Sequence, residues 1–195
     1  MKNIYAIIGV VLVLLIGVGL YAYYKGNPLQ SSQQQLGPMF TLESSAFESG
    51  ESIPTKYTCD AESMSPPLSI KNVPLGTKSM VLLVHDPDVS KELIPSGVFE
   101  HWVVYNIPAE ISEIPEAAVS GTQGLNGAGE TGYAGPCPPA EYEPTEHRYY
   151  FRLYAIDTEL TFVKSPTTKD VEDAIQGHIL GIAELMGNYK RVRGD

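Results

Sequence analysis

The chain has 195 residues, of which 43% are hydrophobic and 18% are charged, and its formal net charge is −10 at pH 7. This composition is typical of a globular domain and excludes an intrinsically disordered chain. The acidic balance excludes a general nucleic-acid-binding surface, because such a surface would repel the phosphate backbone.

The first segment in chain order is apolar and carries no charge from position 4 to position 24. As a helix rising about 1.5 Å per residue, it would span roughly 30 Å, the thickness of a hydrocarbon core. We expect a membrane anchor over 1–25, with a cleaved signal peptide as the alternative. A flexible polar linker over 26–37 and a globular domain over 38–195 follow. This organisation predicts a single-pass protein of the cell membrane, with the acidic domain on the extracytoplasmic side.

The globular part contains four stretches with the composition of β-strands, separated by loops rich in proline and glycine. The stretch at 79–85 is continuously apolar from position 80 to position 84, which predicts burial on both faces of a sheet. The two that follow it are mixed and alternate in part, as half-buried strands do. The four predicted strands are 39–44, 79–85, 99–107 and 148–156.

The strongest helical signal comes late in the chain. Apolar residues recur at spacings of three and four over 171–186, which predicts helical structure there. Thr167 and Asp170 are placed to form a capping box at its start. Gly177 and Gly181 weaken the helix and favour its division into two. The predicted fold class is therefore mostly β with C-terminal helices.

Polar side chains fall at the ends of the predicted strands. Asp86 and Asp88 follow the buried strand with a proline between them, so both carboxylates can face one side. The alternative is an Asp-rich turn. His101 lies early in the next strand and His147 opens the last one. Two imidazoles and two carboxylates at strand ends are typical of a small polar cleft, and Gly135 would let an anion approach main-chain donors.

Other chemistries have weaker support. The four histidines show neither H-x-x-x-H nor H-E-x-x-H spacing, so we expect no metal and no cofactor. The glycine pattern at 127–132 is followed by prolines rather than a helix, which argues against a dinucleotide site. A hydrolase would need an activated nucleophile. Cys137 lies shortly before His147, so a catalytic Cys–His pair is one alternative.

Cys59 and Cys137 are the only cysteines. A domain outside the membrane meets an oxidising environment, where a single disulfide is one expectation. Two unpaired cysteines are the other, because the sequence supplies no distance between them. Pairing would join the loop around position 59 to the Gly-Pro-Cys-Pro-Pro loop at 135–139.

Six motifs follow one another in an order that is characteristic of one family: CDAESMSPPLSI, VHDPDV, EHWVVYNIP, GYAGPCPP, HRYYFRLYAID and GHILGIAELMGNYKR. Through them the chain resembles phosphatidylethanolamine-binding proteins, and most of all the bacterial and archaeal branch called Raf kinase inhibitor-like. The resemblance covers roughly residues 38–191. It implies an antiparallel β-sandwich with helices near the C-terminus and a small anion pocket at one end.

The resemblance also implies which residues bind the ligand. The Asp-Pro-Asp motif supplies Asp86 and Asp88, and the His-Trp motif supplies His101. The Gly-Pro-x-Pro-Pro and His-Arg-Tyr motifs supply the others, which are Gly135, Pro136, Pro138, His147 and Tyr149.

Members of this family are mostly binding and regulatory proteins, so the resemblance implies a protein that is not an enzyme. We expect a pocket for a small anion, such as phosphate or a phospholipid head group. His101 and His147 would donate to the anion, while Asp86 and Asp88 would orient them or accept from an ammonium. The alternative is a protein-interaction module that inhibits a kinase or a protease, and a hydrolase is the third hypothesis.

Overall fold

The computed structural model describes residues 39–191. This part of the chain forms eight β-strands, one α-helix and a short 3-10 turn at Thr55–Tyr57. The elements in chain order are β1 (Thr41–Glu43), β2 (Leu68–Lys71), β3 (Ser79–Asp86), β4 (Phe99–Pro108), β5 (Glu113–Ile114), β6 (Thr122–Gln123), β7 (Glu146–Ile156), α1 (Thr168–Ile175) and β8 (Ile179–Lys190).

The strands form two antiparallel sheets. The smaller has the strand order β1-β2-β5, and the larger has the order β6-β4-β3-β7-β8. Apolar side chains from both sheets meet in one core, among them Leu68 and Ile70 of β2, Leu82 of β3 and Phe151 of β7. This arrangement confirms the prediction of a mostly-β fold, and the four predicted strands correspond to β1, β3, β4 and β7.

Strand β3 is buried on both faces, as its apolar run predicts. Successive side chains of a strand point to opposite faces of the sheet. Met80, Leu82 and Val84 therefore enter the core between the sheets, while Val81 and Leu83 enter a second core beneath α1. Burial on both faces fixes the end of β3 between its neighbours β4 and β7.

Helix α1 begins with the predicted capping box. The Thr167 side chain accepts a hydrogen bond from the Asp170 N–H, and the Asp170 carboxylate accepts one from the Thr167 N–H at 2.9 Å. Both bonds satisfy amides that the first helical turn leaves without a partner. Val171 and Ile175 then face the second core and hold the helix against the large sheet.

The prediction of further helix after α1 is wrong, because that segment forms β8 and pairs with β7 along its length. Gly177 has a φ of +82°, a left-handed conformation that favours glycine, and it lies between the two elements. The buried positions of β8 alternate through Ala183, Leu185, Gly187 and Tyr189. Gly187 has no apolar side chain, so the alternation of apolar and polar residues that is typical of a strand is hard to recognise in the sequence.

The predicted membrane localisation also needs correction. Within residues 39–191, no helix is long and apolar enough to cross a membrane. The one helix of this range has eight residues and a length of about 12 Å, against roughly 30 Å for a hydrocarbon core. The predicted anchor at 1–25 and linker at 26–37 lie outside the described residues. No helix of the described range supports the predicted single-pass, extracytoplasmic localisation.

Candidate functional site

A cavity of about 340 Å³ lies at one end of the large sheet. Because β3 is antiparallel to both β4 and β7, the end of β3 lies beside the beginnings of its two neighbours. Asp86, His101 and His147 are carried there by these three strands and line the cavity. The other lining residues are Val89, Leu93, Ile94, Phe99, Ala134, Gly135, Cys137, Pro138 and Pro139.

His101 reaches the cavity through an irregularity in β4. In the pairing with β3, Val84 lies opposite Trp102 and His85 lies opposite Glu100, which leaves His101 as an extra residue. A β-bulge of this kind re-aims a side chain relative to the strict alternation of the strand. The bulge therefore explains how His101 lines the cavity although the residues that follow it in β4 are buried in the core.

The His101 ring is held by the main chain and by two aromatic rings. Its Nδ1 lies 2.5 Å from the carbonyl oxygen of Ala134, and the Ala134 N–H donates to the His101 carbonyl at 2.8 Å. Phe99 and Tyr149 pack edge to face against the ring, with centroids 4.8 and 5.1 Å away. Burial lowers the pKa of His101 to about 4, so the ring is neutral at pH 7.

His147 forms a buried pair with Asp86. The Nδ1–H of His147 donates to Oδ2 of Asp86 at 2.6 Å, and the two side chains are only 2% and 3% exposed. Burial opposes charge on the ring, but the hydrogen bond to Asp86 and its negative charge outweigh it and raise the pKa of His147. Oδ1 of Asp86 accepts the N–H of Asp88 at 2.8 Å. The cavity therefore contains an oriented imidazole that takes up a proton more readily than an ordinary histidine.

Asp88 does not line the cavity, although the motif placed it among the ligand-binding residues. Its carboxylate accepts from the Nη2 and Nε of Arg148 at 2.6 and 2.8 Å, and from the Arg148 N–H at 3.0 Å. These hydrogen bonds lower the pKa of Asp88. Asp88 thus fixes the start of β7, and its amide orients Asp86.

Gly135 lies in the cavity wall, but its N–H is not the free donor that the sequence predicted. That N–H donates to Oγ of Ser63 at 3.0 Å. A Cβ at this position would lie 2.5 Å from the same oxygen and 2.8 Å from the carbonyl oxygen of Tyr57. The glycine is required because two main-chain segments approach closely. Pro138 lines the cavity and Pro136 does not, and neither has an N–H to donate.

Cys59 and Cys137 are joined in a disulfide, with their Cα atoms 5.4 Å apart. The Cys59 N–H also donates to the carbonyl of Pro136 at 3.1 Å. Both contacts hold the proline-rich loop of the cavity against the segment that follows the 3-10 turn. Because the sulfur of Cys137 is bonded, it is not available as the nucleophile of a Cys–His147 pair.

Tyr149 lies behind the cavity rather than in its wall. It is buried, with 1% of its surface exposed. Burial and the negative charge of Asp86 raise its pKa, so the phenol stays protonated. Its edge-to-face contact with the His101 ring supports a residue that does line the cavity.

One wall of the cavity is apolar, and sequence reasoning missed it. Val89, Leu93 and Ile94 come from the irregular segment between β3 and β4, and Phe99 comes from the first position of β4. Apolar residues in an irregular segment show no period that would single them out. The cavity therefore combines a polar end, formed by imidazoles and a carboxylate, with an apolar side.

The described residues contain no group of three or more His, Cys, Asp or Glu side chains that could hold a metal ion. The glycine pattern at 127–132 belongs to a compact loop. Leu125 and Thr131 pair across it, and the Asn126 side chain accepts from the N–H groups of Ala128 and Glu130. This loop is not followed by a helix, which a dinucleotide-binding motif requires.

A family model described as phosphatidylethanolamine-binding protein matches residues 43–190. The match includes all three strands that carry the polar end of the cavity. This chain belongs to the phosphatidylethanolamine-binding protein family. The resemblance stated from its motifs is thereby confirmed, and the two-sheet fold is the fold of this family.

Two relatives place the chain more narrowly. A UPF0098 protein of Chlamydia trachomatis is 45% identical over 151 residues, which cover 77% of this chain and 98% of the relative. A UPF0098 protein of Methanothermobacter thermautotrophicus is 43% identical over 157 residues, again covering 77% and 98%. The chain is therefore a phosphatidylethanolamine-binding protein family member of the UPF0098 group.

Two solved structures of the family share the fold. The crystal structure of CT736 from Chlamydia trachomatis, a phosphatidylethanolamine-binding protein homolog, matches with a TM-score of 0.75 and 44% identity, and the match covers 79% of this chain and 99% of that one. The crystal structure of E. coli YbcL, described as a new member of the mammalian PEBP family, matches with a TM-score of 0.70 and 28% identity. This match covers 80% of this chain and 100% of that one.

Proposed function

We propose that this protein is a non-enzymatic binding protein whose cavity holds a small oxyanion, either phosphate or the phosphorylated head group of a phospholipid. The polar end of the cavity carries the proposal. His147, paired with Asp86, and His101, whose Nε2 has no partner in the described range, line the same space. Since a buried polar atom without a partner is costly, a polar ligand in the cavity would relieve that cost.

The charge at this end supports an anion. The raised pKa of His147 favours an imidazolium that attracts negative oxygen atoms. Both oxygens of Asp86 already accept hydrogen bonds from protein donors, the Asp88 N–H and His147. The carboxylate is therefore not presented unpaired to the ligand. Such a local site binds an anion even though the whole chain has a net charge of −10.

The apolar wall supports a ligand that has an organic part. Leu93, Ile94 and Phe99 line the cavity beside the polar end, and Leu93 is 45% exposed. Cavities of about 300–1,000 Å³ with an apolar lining and a few polar groups are typical of small-molecule sites. An organic phosphate would fill this space more completely than inorganic phosphate.

Isothermal titration calorimetry of the full chain with inorganic phosphate and with phosphoethanolamine tests the proposal. We expect His147→Gln to weaken binding at least about tenfold, because a hydrogen bond to a charged group is lost. His178→Gln is the matched control. His178 also bonds an aspartate, Asp157, at 2.7 Å, but it is 47% exposed and does not line the cavity. Equal affinities for all three proteins, or no binding of either compound, would refute the proposal.

A protein partner is the second candidate, and the exposure of Leu93 beside the cavity favours it. In this case the loops around the cavity would contact a kinase or a protease and inhibit it. Capture of a partner from a native extract, with and without added phosphate, tests this alternative. If phosphate displaces the partner, the partner contacts the cavity. If Leu93→Ser does not weaken binding of the partner, the partner contacts another surface.

A further inference from the structure

The His101 ring constrains the chemistry of the ligand most closely. A carbonyl oxygen only accepts, so the 2.5 Å contact with the Ala134 carbonyl assigns the ring hydrogen to Nδ1. The residue is 4% exposed, and its Nε2 has no partner within residues 39–191. A neutral imidazole with its hydrogen on Nδ1 has a lone pair on Nε2. This nitrogen therefore accepts a hydrogen bond and cannot donate one.

The groups packed around the ring leave it neutral. Burial lowers the pKa of His101 most strongly, and the main-chain hydrogen bond and the charge of Asp86 on β3 oppose it only in part. His147 on β7 and His85 on β3 lower that pKa further. Tyr149, also on β7, contacts the ring with an uncharged phenol. Asp86 and His147 lie 2.6 Å apart and have opposite effects on the pKa of His101, so these two effects largely cancel. Burial therefore determines that the ring is neutral.

We propose that the site selects an oxyanion that carries an acidic hydrogen, such as hydrogen phosphate, over a fully ionised oxyanion of the same shape, such as sulfate. This inference rests on the proposed function. A charged oxygen of the ligand would lie toward His147, and its O–H hydrogen would be donated to Nε2 of His101. Sulfate has no hydrogen at neutral pH, so one of its oxygens would face the nitrogen lone pair and neither atom would gain a partner.

The requirement for an O–H hydrogen on the ligand also distinguishes free phosphate from the phosphate of an intact phospholipid. Inorganic phosphate keeps a hydrogen throughout the neutral range, and a phosphate monoester keeps one below its second pKa of about 6. A phosphodiester, the linkage within an intact phospholipid, has no O–H group. The proposal therefore favours free phosphate throughout the neutral range, and favours monoesters only below that pKa. Dimethyl phosphate is the probe that represents the diester.

Calorimetric titration of the full chain at pH 7.5 with inorganic phosphate, sulfate and dimethyl phosphate provides the test. At this pH phosphate and sulfate have the same shape and mainly the same charge, and they differ by one hydrogen. We expect phosphate to bind about 10- to 100-fold more tightly than sulfate or dimethyl phosphate. Equal affinities would overturn the inference and leave the proposed function standing. If none of the three binds but phosphoethanolamine does, the inference fails and the proposed function stands. If phosphoethanolamine does not bind either, both fail.

The variant His101→Asn tests the role of Nε2 separately from that of Nδ1. The amide nitrogen of asparagine can replace Nδ1 in the contact with Ala134, while Nε2 is removed. We expect the preference for phosphate over sulfate to fall below about threefold. His178→Asn, at the exposed histidine, is the control and should keep the wild-type preference. An unchanged preference in His101→Asn would contradict the proposal.

A spectroscopic measurement on the wild-type protein keeps the proposal testable if His101→Asn does not fold. The ¹⁵N chemical shift of an imidazole nitrogen distinguishes a bare nitrogen from a protonated one. We expect Nε2 of His101 to be bare in the free protein, and to move in the direction of an accepted hydrogen bond with phosphate but not with sulfate. A protonated Nε2 in the free protein would overturn the proposal.

Discussion

The pair of Asp86 and His147 supports a quantitative prediction about Asp86→Asn. This substitution keeps the shape of the side chain, and its oxygen can still accept the N–H of Asp88, which lies 2.8 Å from Asp86 Oδ1. It removes the negative charge that lies 2.6 Å from Nδ1 of His147. The new amide can donate to that nitrogen once the ring is neutral. We therefore expect the histidine to remain in place but to lose its proton more easily.

The magnitude follows from the burial of the pair, whose side chains are 2% and 3% exposed. A hydrogen bond to a charged group contributes about 1.5–3 kcal/mol, so Asp86→Asn should lower the free energy of unfolding by about 2 kcal/mol. His147→Ala leaves a buried carboxylate without its partner, and should cost about 3–5 kcal/mol.

The difference in stability between the wild type and Asp86→Asn should depend on pH. The pKa of His147 is raised in the folded state, so the contribution of the pair is complete below pH 6.5 and is lost as the pH rises through that raised pKa.

Two measurements check this prediction. Guanidinium unfolding at pH 6 and at pH 9 should give a larger loss for Asp86→Asn at pH 6, and an NMR titration should show a lowered pKa for His147 in the variant. Asp157→Asn is the matched control, because the pair of Asp157 with His178 is 47% exposed on both sides. Exposed pairs contribute about 0–1 kcal/mol. An unchanged unfolding midpoint at pH 6, together with an unchanged pKa of His147, would refute the reasoning.

Three other contacts support predictions of their own. Replacing Cys59 and Cys137 by serine releases a crosslink over a separation of 78 residues, and should lower the free energy of unfolding in guanidinium by about 4 kcal/mol. Gly135→Ala brings a Cβ to 2.5 Å from Oγ of Ser63, and should cost about 1–3 kcal/mol in thermal unfolding. The pKa of His101 is lowered from 6.5 to about 4, so the unfolded chain takes up a proton that the folded chain does not. Stability should fall as the pH falls from 6.5 to 4 in urea unfolding, and less steeply in His101→Asn.

Each of these predictions has a result that would contradict it. A double serine variant that unfolds at the wild-type midpoint would show that the crosslink adds no stability. A Gly135→Ala variant with the wild-type melting temperature would show that the loop has room for a side chain. Parallel pH profiles for wild type and His101→Asn would show that this ring titrates alike in the folded and unfolded chain.

Much of the sheet could be predicted from local pattern, because long strands with one or two buried faces have a clear composition. The run at 79–85 is an example, since burial on both faces removes every polar residue from its middle. β8 could not be recognised in the same way. Its inward position at Gly187 has no side chain, while Ile179 and Ile182 on its exposed face matched a helical spacing. Tertiary pairing with β7 overrides that spacing.

The candidate site could be predicted in part. Asp86, His101 and His147 are polar residues at strand ends, and antiparallel pairing brings such ends together. The roles of Asp88 and Gly135 depend on partners that the sequence does not reveal. Asp88 accepts from Arg148, and the Gly135 N–H donates to Ser63. These partners lie 60 and 72 positions away in the chain, so local sequence could not predict them.

Histidine-selective NMR during a titration with inorganic phosphate tests the central claim most directly. The account predicts that the ring signals of His101 and His147 shift together and reach saturation at the same phosphate concentration, while those of His178 do not move. Ring signals of His101 and His147 that do not respond to phosphate, or that respond only as much as those of His178, would contradict it.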